Sequence, residues 1–320
     1  MRKLAIVTSG GDAPGMNAAI RALTRLAAWN GLKVIGFRRG WEGVINNDHV
    51  ELDPRRVGGI LHLGGTILRT IRCEEFKTEE GLRKAAETLA ENDVDALVVI
   101  GGDGSARGAY ALSKHTDALI VVLPASIDND VYGTDETIGF DTAVNTALNE
   151  INKIRDTAVS HERTFIVEVM GRKRGFLALT VGLTAGAEII LVPEVRYDRE
   201  KIYETLRRNA AKGKRSSIIV AAEGIGETRK LAEDIEKNVK TEVRLSVLGY
   251  VQRGGSPTAR SRLLASLFAE KAIELILDGI GNKLIGIQKD EITSISLQEA
   301  CTKEKPLDPK LLELAEKLAI

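Results

Sequence analysis

Apolar residues along the chain gather into short β-branched runs, each closed by glycine or polar residues and followed by helical spacing. The runs fall at residues 4–7, 97–100, 119–123, 165–169, 218–221 and 245–248. They are continuously apolar rather than alternating, which predicts strands buried on both faces of a sheet. Residues 16–28 read as a helix, with Ala19, Ile20, Leu23, Leu26 and Ala27 on one face and Gly31 just past its end. A second helix is predicted over Glu79–Glu91, opened by Thr78 as N-cap and weakened by Gly81. Strands alternating with helices predict an α/β fold with mostly parallel, doubly wound sheets. No Pro/Gly/Ser linker or repeat interrupts the pattern, and a lobe boundary is expected near residues 138–140.

The 320 residues suffice for two lobes sharing a cleft. Lys+Arg and Asp+Glu both number 45, so no molecule-wide basic field suits nucleic acid, and any anion site must be a local cluster. Cys73 and Cys301 lie far apart in unrelated contexts, which fits a reducing compartment better than a disulfide framework. The opening apolar run is too short for a signal-peptide core, and no stretch reaches membrane-spanning length. The expectation is a cytoplasmic protein.

Chemistry concentrates just past the apolar runs, where open α/β sheets bind ligands. The first loop, TSGGDAPGMN at residues 8–17, has Gly10 and Gly11 to admit a phosphate to the backbone, ahead of a helix N-terminus. It reads equally as a tight strand–helix turn. In the second, GGDGS at residues 101–105, glycines can cradle phosphate while Asp103 offers an oxygen to Mg²⁺. Gly108 extends it toward a dinucleotide fingerprint, but with the wrong spacing, and no GxxxxGK[ST] loop occurs. The third, PASIDND at residues 124–130, carries Asp128 and Asp130, which share a face if the segment is extended. One suits deprotonation of an attacking hydroxyl, its neighbour support of the metal; a solvated acidic turn is the plainer alternative. Arg72, Arg163, Arg172, Arg244 and Arg253 flank strand ends, and their convergence would call for a bound polyanion. These observations point to phosphoryl transfer from a nucleotide to an anionic small molecule.

With the loops assembled, the chain resembles the bacterial type of ATP-dependent 6-phosphofructokinase over essentially its full length. The matching segments are residues 7–22, GGTILRTIRCEEF (64–76), VVIGGDGS (98–105), IDND (127–130), HER (161–163), VEVMGR (167–172) and QRGGSPT (252–258). The resemblance implies two Rossmann-like lobes of the phosphofructokinase fold: an ATP lobe at residues 1–138 plus 251–300, and a fructose 6-phosphate lobe at 139–250 plus 301–320. It implies ATP contacts at Gly11, Arg72, Cys73, Gly102, Asp103, Gly104, Ser105 and Gly108, with Mg²⁺ at Asp103. Asp128 matches the general base for the sugar 1-hydroxyl and Asp130 its neighbour near the metal. Arg72 and Arg172 match positions that stabilise the transferring phosphoryl group. Ser126, Arg163, Met170, Gly171, Arg172, Glu223, Arg244, Tyr250 and Arg253 match sugar-phosphate positions. Arg163 and Arg244 would serve a neighbouring subunit's site, which implies a homotetramer. An effector site for ADP or phosphoenolpyruvate is implied at Arg21, Arg25, Arg155, Gly186, Glu188, Lys212, Lys214, Arg215 and Ser216.

The chain also departs from the family pattern. Tyr250 stands for the usual His, and a phenol can donate a hydrogen bond but carries no positive charge. Pro54 stands for an effector-site Arg, Ala125 and Ser126 for Gly-Thr, Trp41 for a Tyr beside the nucleotide, and Ser261 for an Asp. A diphosphate-dependent relative would typically carry Asp at position 104 and a Lys at position 125, where this chain has Gly104 and Ala125. A nucleotide-sensing homologue without activity rests on Tyr250 alone. A dehydrogenase is weakened by the glycine spacing and the lack of a suitably placed acidic ribose ligand.

Overall fold

The computed structural model describes residues 3–319. The chain runs β1 (Lys3–Ser9), α1 (Met16–Trp29), β2 (Lys33–Phe37), α2 (Trp41–Ile45), β3 (His49–Leu52), α3 (Glu79–Glu91), β4 (Ala96–Gly101), α4 (Asp103–Leu112) and β5 (Leu119–Pro124). It continues with α5 (Phe140–Ser160), β6 (Thr164–Val169), α6 (Phe176–Ala185), β7 (Ile189–Leu191), α7 (Arg199–Ala211), β8 (Ser217–Ala222), α8 (Thr228–Val239) and β9 (Val243–Val247). It closes with α9 (Ala259–Leu277), β10 (Lys283–Gln288), β11 (Glu291–Ser296), α10 (Leu297–Thr302) and α11 (Pro309–Leu318). Two compact units result: residues 1–142 with 253–305, and 143–252 with 306–320.

The first unit holds a seven-stranded sheet in the order β11-β10-β5-β4-β1-β2-β3. Its interior is parallel, and β3 and β11 are antiparallel edges. The predicted central strands β1, β4 and β5 are there, and Leu4, Ile6, Val98 and Val122 are fully buried, as two-faced coverage requires. Register places Ser9 opposite Gly101 and Gly101 opposite Pro124, so three carboxyl ends stand level. Their three glycine- or acid-bearing loops therefore emerge side by side. In the second unit, four parallel strands run β7-β8-β6-β9. Val169 pairs with Ala222 and Glu168 with Val247, so the segments after β6, β8 and β9 also leave together.

α3 spans the predicted residues, and Thr78 Oγ1 accepts from Gly81 N–H at 3.0 Å. Gly81 itself is not a weak point. A Cβ there would collide with the Glu75 carbonyl, so the glycine lets the preceding turn close against the helix. The run at 245–248 is displaced, β9 starting at Val243 and ending at Val247. Five strands (β2, β3, β7, β10 and β11) carry no expectation from the sequence pattern. No helix among the described residues is long and apolar enough to cross a membrane.

Candidate active site

In the first unit the loop after β1 turns at Gly10, whose φ of 84° is left-handed. A Cβ on Gly10 would lie 3.1 Å from Ser105 Oγ, so the first two glycine loops are in contact. α1 begins after Gly15 and α4 after Gly102, neither with a side-chain cap, leaving N–H groups of both helices available to an anion. Ser105 Oγ is buried with no hydrogen-bond partner. An unsatisfied hydroxyl beside an uncapped helix start is what a phosphate oxygen would complete. At Gly11 the space a Cβ would occupy lies 3.3 Å from the Arg253 guanidinium carbon. The bare Cα thus seats a cation, and Arg253 stands 4.0 Å from Asp12.

Residues 64–73 are fastened onto this loop. Asn17 Nδ2 donates to the carbonyls of Leu63 and Gly64, Asn17 Oδ1 accepts from Ile67 N–H, and Thr70 Oγ1 donates to Gly10 O at 2.8 Å. The segment carries Arg72, exposed and without a partner among the described residues, and Cys73, packed on the core's edge. The aromatic surface expected at Trp41 is instead internal. Trp41 is 6% exposed and stacks on Phe76 at 4.0 Å, and a Cβ on Gly108 would stand 3.1 Å from Phe76. Gly108 is thereby explained by aromatic packing.

Asp103 opens α4, and its Oδ2 accepts from Arg107 Nε at 2.8 Å, one turn on. Arg107 also donates to Cys301 O at 2.7 Å, and the Asp103 bond is the largest influence holding the Arg107 guanidinium above its ordinary pKa. Asp103 Oδ1 keeps no partner among the described residues. No group of three or more His, Cys, Asp or Glu that could hold a metal occurs among those residues. One carboxylate oxygen beside a phosphate cradle fits Mg²⁺ shared with nucleotide phosphates, since Mg²⁺ is usually held by one or two carboxylates plus phosphate oxygens. A Cβ on Gly104 would meet nothing within 4 Å.

The loop after β5 is not extended as the shared-face reading required. Asn129 sits at φ 53°, so Asp128 and Asp130 flank a left-handed residue. Asn129 organises the turn: its Nδ2 donates to Asp135 O at 3.0 Å, and its Oδ1 accepts from Thr137 N–H at 3.0 Å. Asp128 is 4% exposed, and its N–H donates to Ser126 Oγ at 3.1 Å. A Cβ on Gly102 would lie 3.4 Å from Ser126 Cβ, which joins the second and third loops. Half-buried Lys305 donates to Asp135 O at 2.9 Å and feels the charges of Asp135, Asp130 and Glu136, while burial pushes its ammonium down to about 8. Ser261, unexplained by sequence, is 1% exposed at the third position of α9 and shares a hydroxyl contact of 2.9 Å with Thr142. An Asp would be buried there.

In the second unit Gly171 has φ 131° and Arg172 φ 52°, a tight turn after β6. Arg172 N–H donates to Glu223 Oε1 at 2.6 Å, so Glu223 braces the turn, and Met170 N–H reaches Gln252 Oε1 at 3.4 Å. Arg163 Nε donates to Glu242 Oε2 at 2.6 Å, and Arg244 pairs with the other oxygen of the same carboxylate. Two of the predicted cations are thus brought together by Glu242, whose carboxyl is held below its usual pKa first by the Arg163 hydrogen bond. Tyr250 is 77% exposed within the chain. Arg107, Asn129, Gln252 and Glu242 carried no expectation; only Arg107, four residues after Asp103, left a local signal.

Among the effector residues of the second unit, Arg155 contacts Gly186 and Lys214 pairs with Glu188. Arg155 donates to the carbonyls of Ala185, at 2.6 Å, and Gly186, and Gly186 is a left-handed cap. Buried Glu188 accepts from Ile218 N–H at 2.6 Å and pairs with Lys214, while Arg215 pairs with Glu162 at 3.0 Å. Lys212 caps α7, and Ser216 precedes β8. Arg21 and Arg25 lie on α1 of the first unit, where Arg25 donates to Pro54 O at 3.3 Å.

Comparison with known proteins identifies the family. The Phosphofructokinase family pattern matches residues 3–276. The "ATP-dependent 6-phosphofructokinase" of Shouchella clausii is 49% identical over 320 residues, covering 100% of both chains. The "ATP-dependent 6-phosphofructokinase 1" of Clostridium perfringens is 51% identical over 315 residues, 98% of each. The solved phosphofructokinase of Saccharomyces cerevisiae superposes with a TM-score of 0.88 at 33% identity, over 99% of this chain and 47% of that one. The chain therefore spans about half the length of the yeast protein's chain. A pyrophosphate-dependent phosphofructokinase from Marinobacter aquaeolei, 23% identical with a TM-score of 0.85 over 97% of this chain and 86% of its own, shares the fold. The chain belongs to the phosphofructokinase family.

Proposed function

We propose that this protein transfers the terminal phosphoryl group of ATP to O1 of D-fructose 6-phosphate, giving fructose 1,6-bisphosphate and ADP. The observation that carries the reading is the level row of carboxyl ends in the first unit. It sets an uncapped helix start, the unsatisfied Ser105 hydroxyl, Asp103 and buried Asp128 on adjoining loops. Half of the sequence is shared, end to end, with proteins named for this activity.

Under this reading the first unit binds nucleotide and the second binds sugar phosphate. Gly11, Gly102, Gly104, Ser105, Arg72 and Cys73 line the nucleotide phosphates. Asp103 would hold Mg²⁺, which when bound would neutralise charge on the phosphate oxygens. Asp128 takes the proton from the sugar 1-hydroxyl, and Asp130 keeps the local geometry. Arg72 and Arg172 stabilise charge on the transferring group, so the site works chiefly by positioning and electrostatics. General-base action adds about 10²–10⁴-fold. Ser126, Arg163, the turn at Met170, Gly171 and Arg172, and Glu223, Arg244, Tyr250 and Arg253 recognise the sugar phosphate. Arg163 and Arg244 serve a neighbouring subunit in a cytoplasmic homotetramer. ADP or phosphoenolpyruvate acts at the second basic set, with Pro54 weakening ADP activation.

Diphosphate as donor is the competing reading, and open space around Gly104 favours ATP. Coupled assays with fructose 6-phosphate and either donor distinguish the two. Turnover with ATP supports the proposal; turnover with diphosphate alone, or tight nucleotide binding without turnover, overturns it.

A further inference from the structure

A cavity of about 610 Å³ lies wholly within the second unit, between β7, α7 and α11. That volume is typical of sites for small organic ligands, roughly 300–1,000 Å³. Its floor is aliphatic: Ile190 and Val192 from the sheet side, Ile202 from α7, Leu312 and Ala315 from α11. Asn209 also lines it, 5% exposed, with its Nδ2 buried and without a hydrogen-bond partner. A buried amide donor left unmade costs stability unless something accepts from it.

The charges around the cavity are unequally satisfied. Among its acids, Glu316 pairs with Lys201 at 3.0 Å, Glu188 with Lys214, and Asp198 caps α7 by accepting from Glu200 N–H. Among its cations, exposed Arg196, Arg208 and Lys212 have no partner among the described residues. An apolar body, one buried donor left unsatisfied and a spare cationic rim select an amphipathic anion with a single compact head. A polyphosphate would leave the aliphatic floor unused.

We propose that this cavity binds a carboxylate-headed molecule with an alkyl or aryl tail, its head accepting from Asn209 Nδ2 and facing the rim cations. Glu188 and Lys212 also belong to the effector set, so the test must separate the two sites. Calorimetric titration of decanoate, 1-decanol and ADP into the full-length protein is the experiment, with Asn209→Leu and Ala315→Trp beside the unaltered chain. Decanoate is expected to saturate at one site per chain. Asn209→Leu should weaken decanoate about tenfold or more, the scale of a lost hydrogen bond to a charged group, while 1-decanol changes little. Ala315→Trp fills the cavity and should abolish decanoate binding while ADP binding and the kinase rate persist. If Ala315→Trp does not fold, the decanoate-to-decanol contrast in Asn209→Leu decides. The proposal falls if decanoate does not saturate, if both variants bind it unchanged, or if ADP displaces it and Ala315→Trp weakens both ligands equally.

Discussion

Asp128 in the first unit and Glu242 in the second call for different tests, the one proposed to bear chemistry and the other pairing two arginines. Asp128 is buried, on a turn fixed by Ser126 Oγ and by left-handed Asn129, so replacing its carboxylate leaves the backbone scaffold intact. Asp128→Ser is expected to lower kcat by about 10²–10⁴-fold with little change in KM for the sugar phosphate. Steady-state kinetics check this, and a rate near the parent's refutes the role. Glu242 bonds Arg163 and Arg244, and its carboxyl lies below the ordinary 4.5. A depressed carboxyl stabilises the fold above its unfolded pKa and loses that contribution as pH falls through the folded value. Glu242→Gln should therefore show a shallower loss of stability on acidification, read from denaturant midpoints across the acid range. An unchanged pH slope contradicts the pairing. The candidate acids Asp103 and Asp128 could be picked out of the sequence because each sits just past an apolar run. Gln252 and Glu242 could not, because their partners are set by tertiary folding, Gln252 lying 82 residues from Met170 and Glu242 79 from Arg163.

Among the elements, the central strands declared themselves by unbroken β-branched character, whereas the edges did not. β2 reads KVIGF, interrupted by Gly36 where a Cβ would meet Leu68 at 2.6 Å, and β7 has three residues. β10 and β11 are joined at Lys289 and Asp290, both at positive φ, without the Asn-Gly or Asp-Gly signature of such turns. α3 reverses an expectation drawn from propensity. Alanine is a better helix former than glycine by about 1 kcal/mol, yet the Glu75 carbonyl occupies the place of a Cβ at Gly81. Gly81→Ala is therefore expected to destabilise the protein by roughly 1–3 kcal/mol in chemical denaturation. A gain in stability would show that the preceding turn yields freely. Thr78→Ala, removing the cap bond to Gly81 N–H, should cost about 0.5–2 kcal/mol in the same measurement.

At the level of the whole molecule, family membership and fold rest on the full-length match, and donor choice rests on relatives named ATP-dependent together with one open position. Gly104 is the second residue of α4, where an Asp is sterically free and compatible with the helix start. Its charge would nonetheless stand against the nucleotide phosphates, so Gly104→Asp should reduce kcat/KM for ATP by about ten- to a hundredfold while leaving the melting temperature near the parent's. Equal ATP efficiency in that variant would remove the argument from Gly104. The transfer itself is read most directly by ³¹P NMR of the purified chain with ATP, Mg²⁺ and fructose 6-phosphate. Conversion of ATP to ADP in step with a new phosphomonoester on O1 of the sugar is the predicted result. ATP left intact, or its terminal phosphate appearing only as inorganic phosphate, would contradict it.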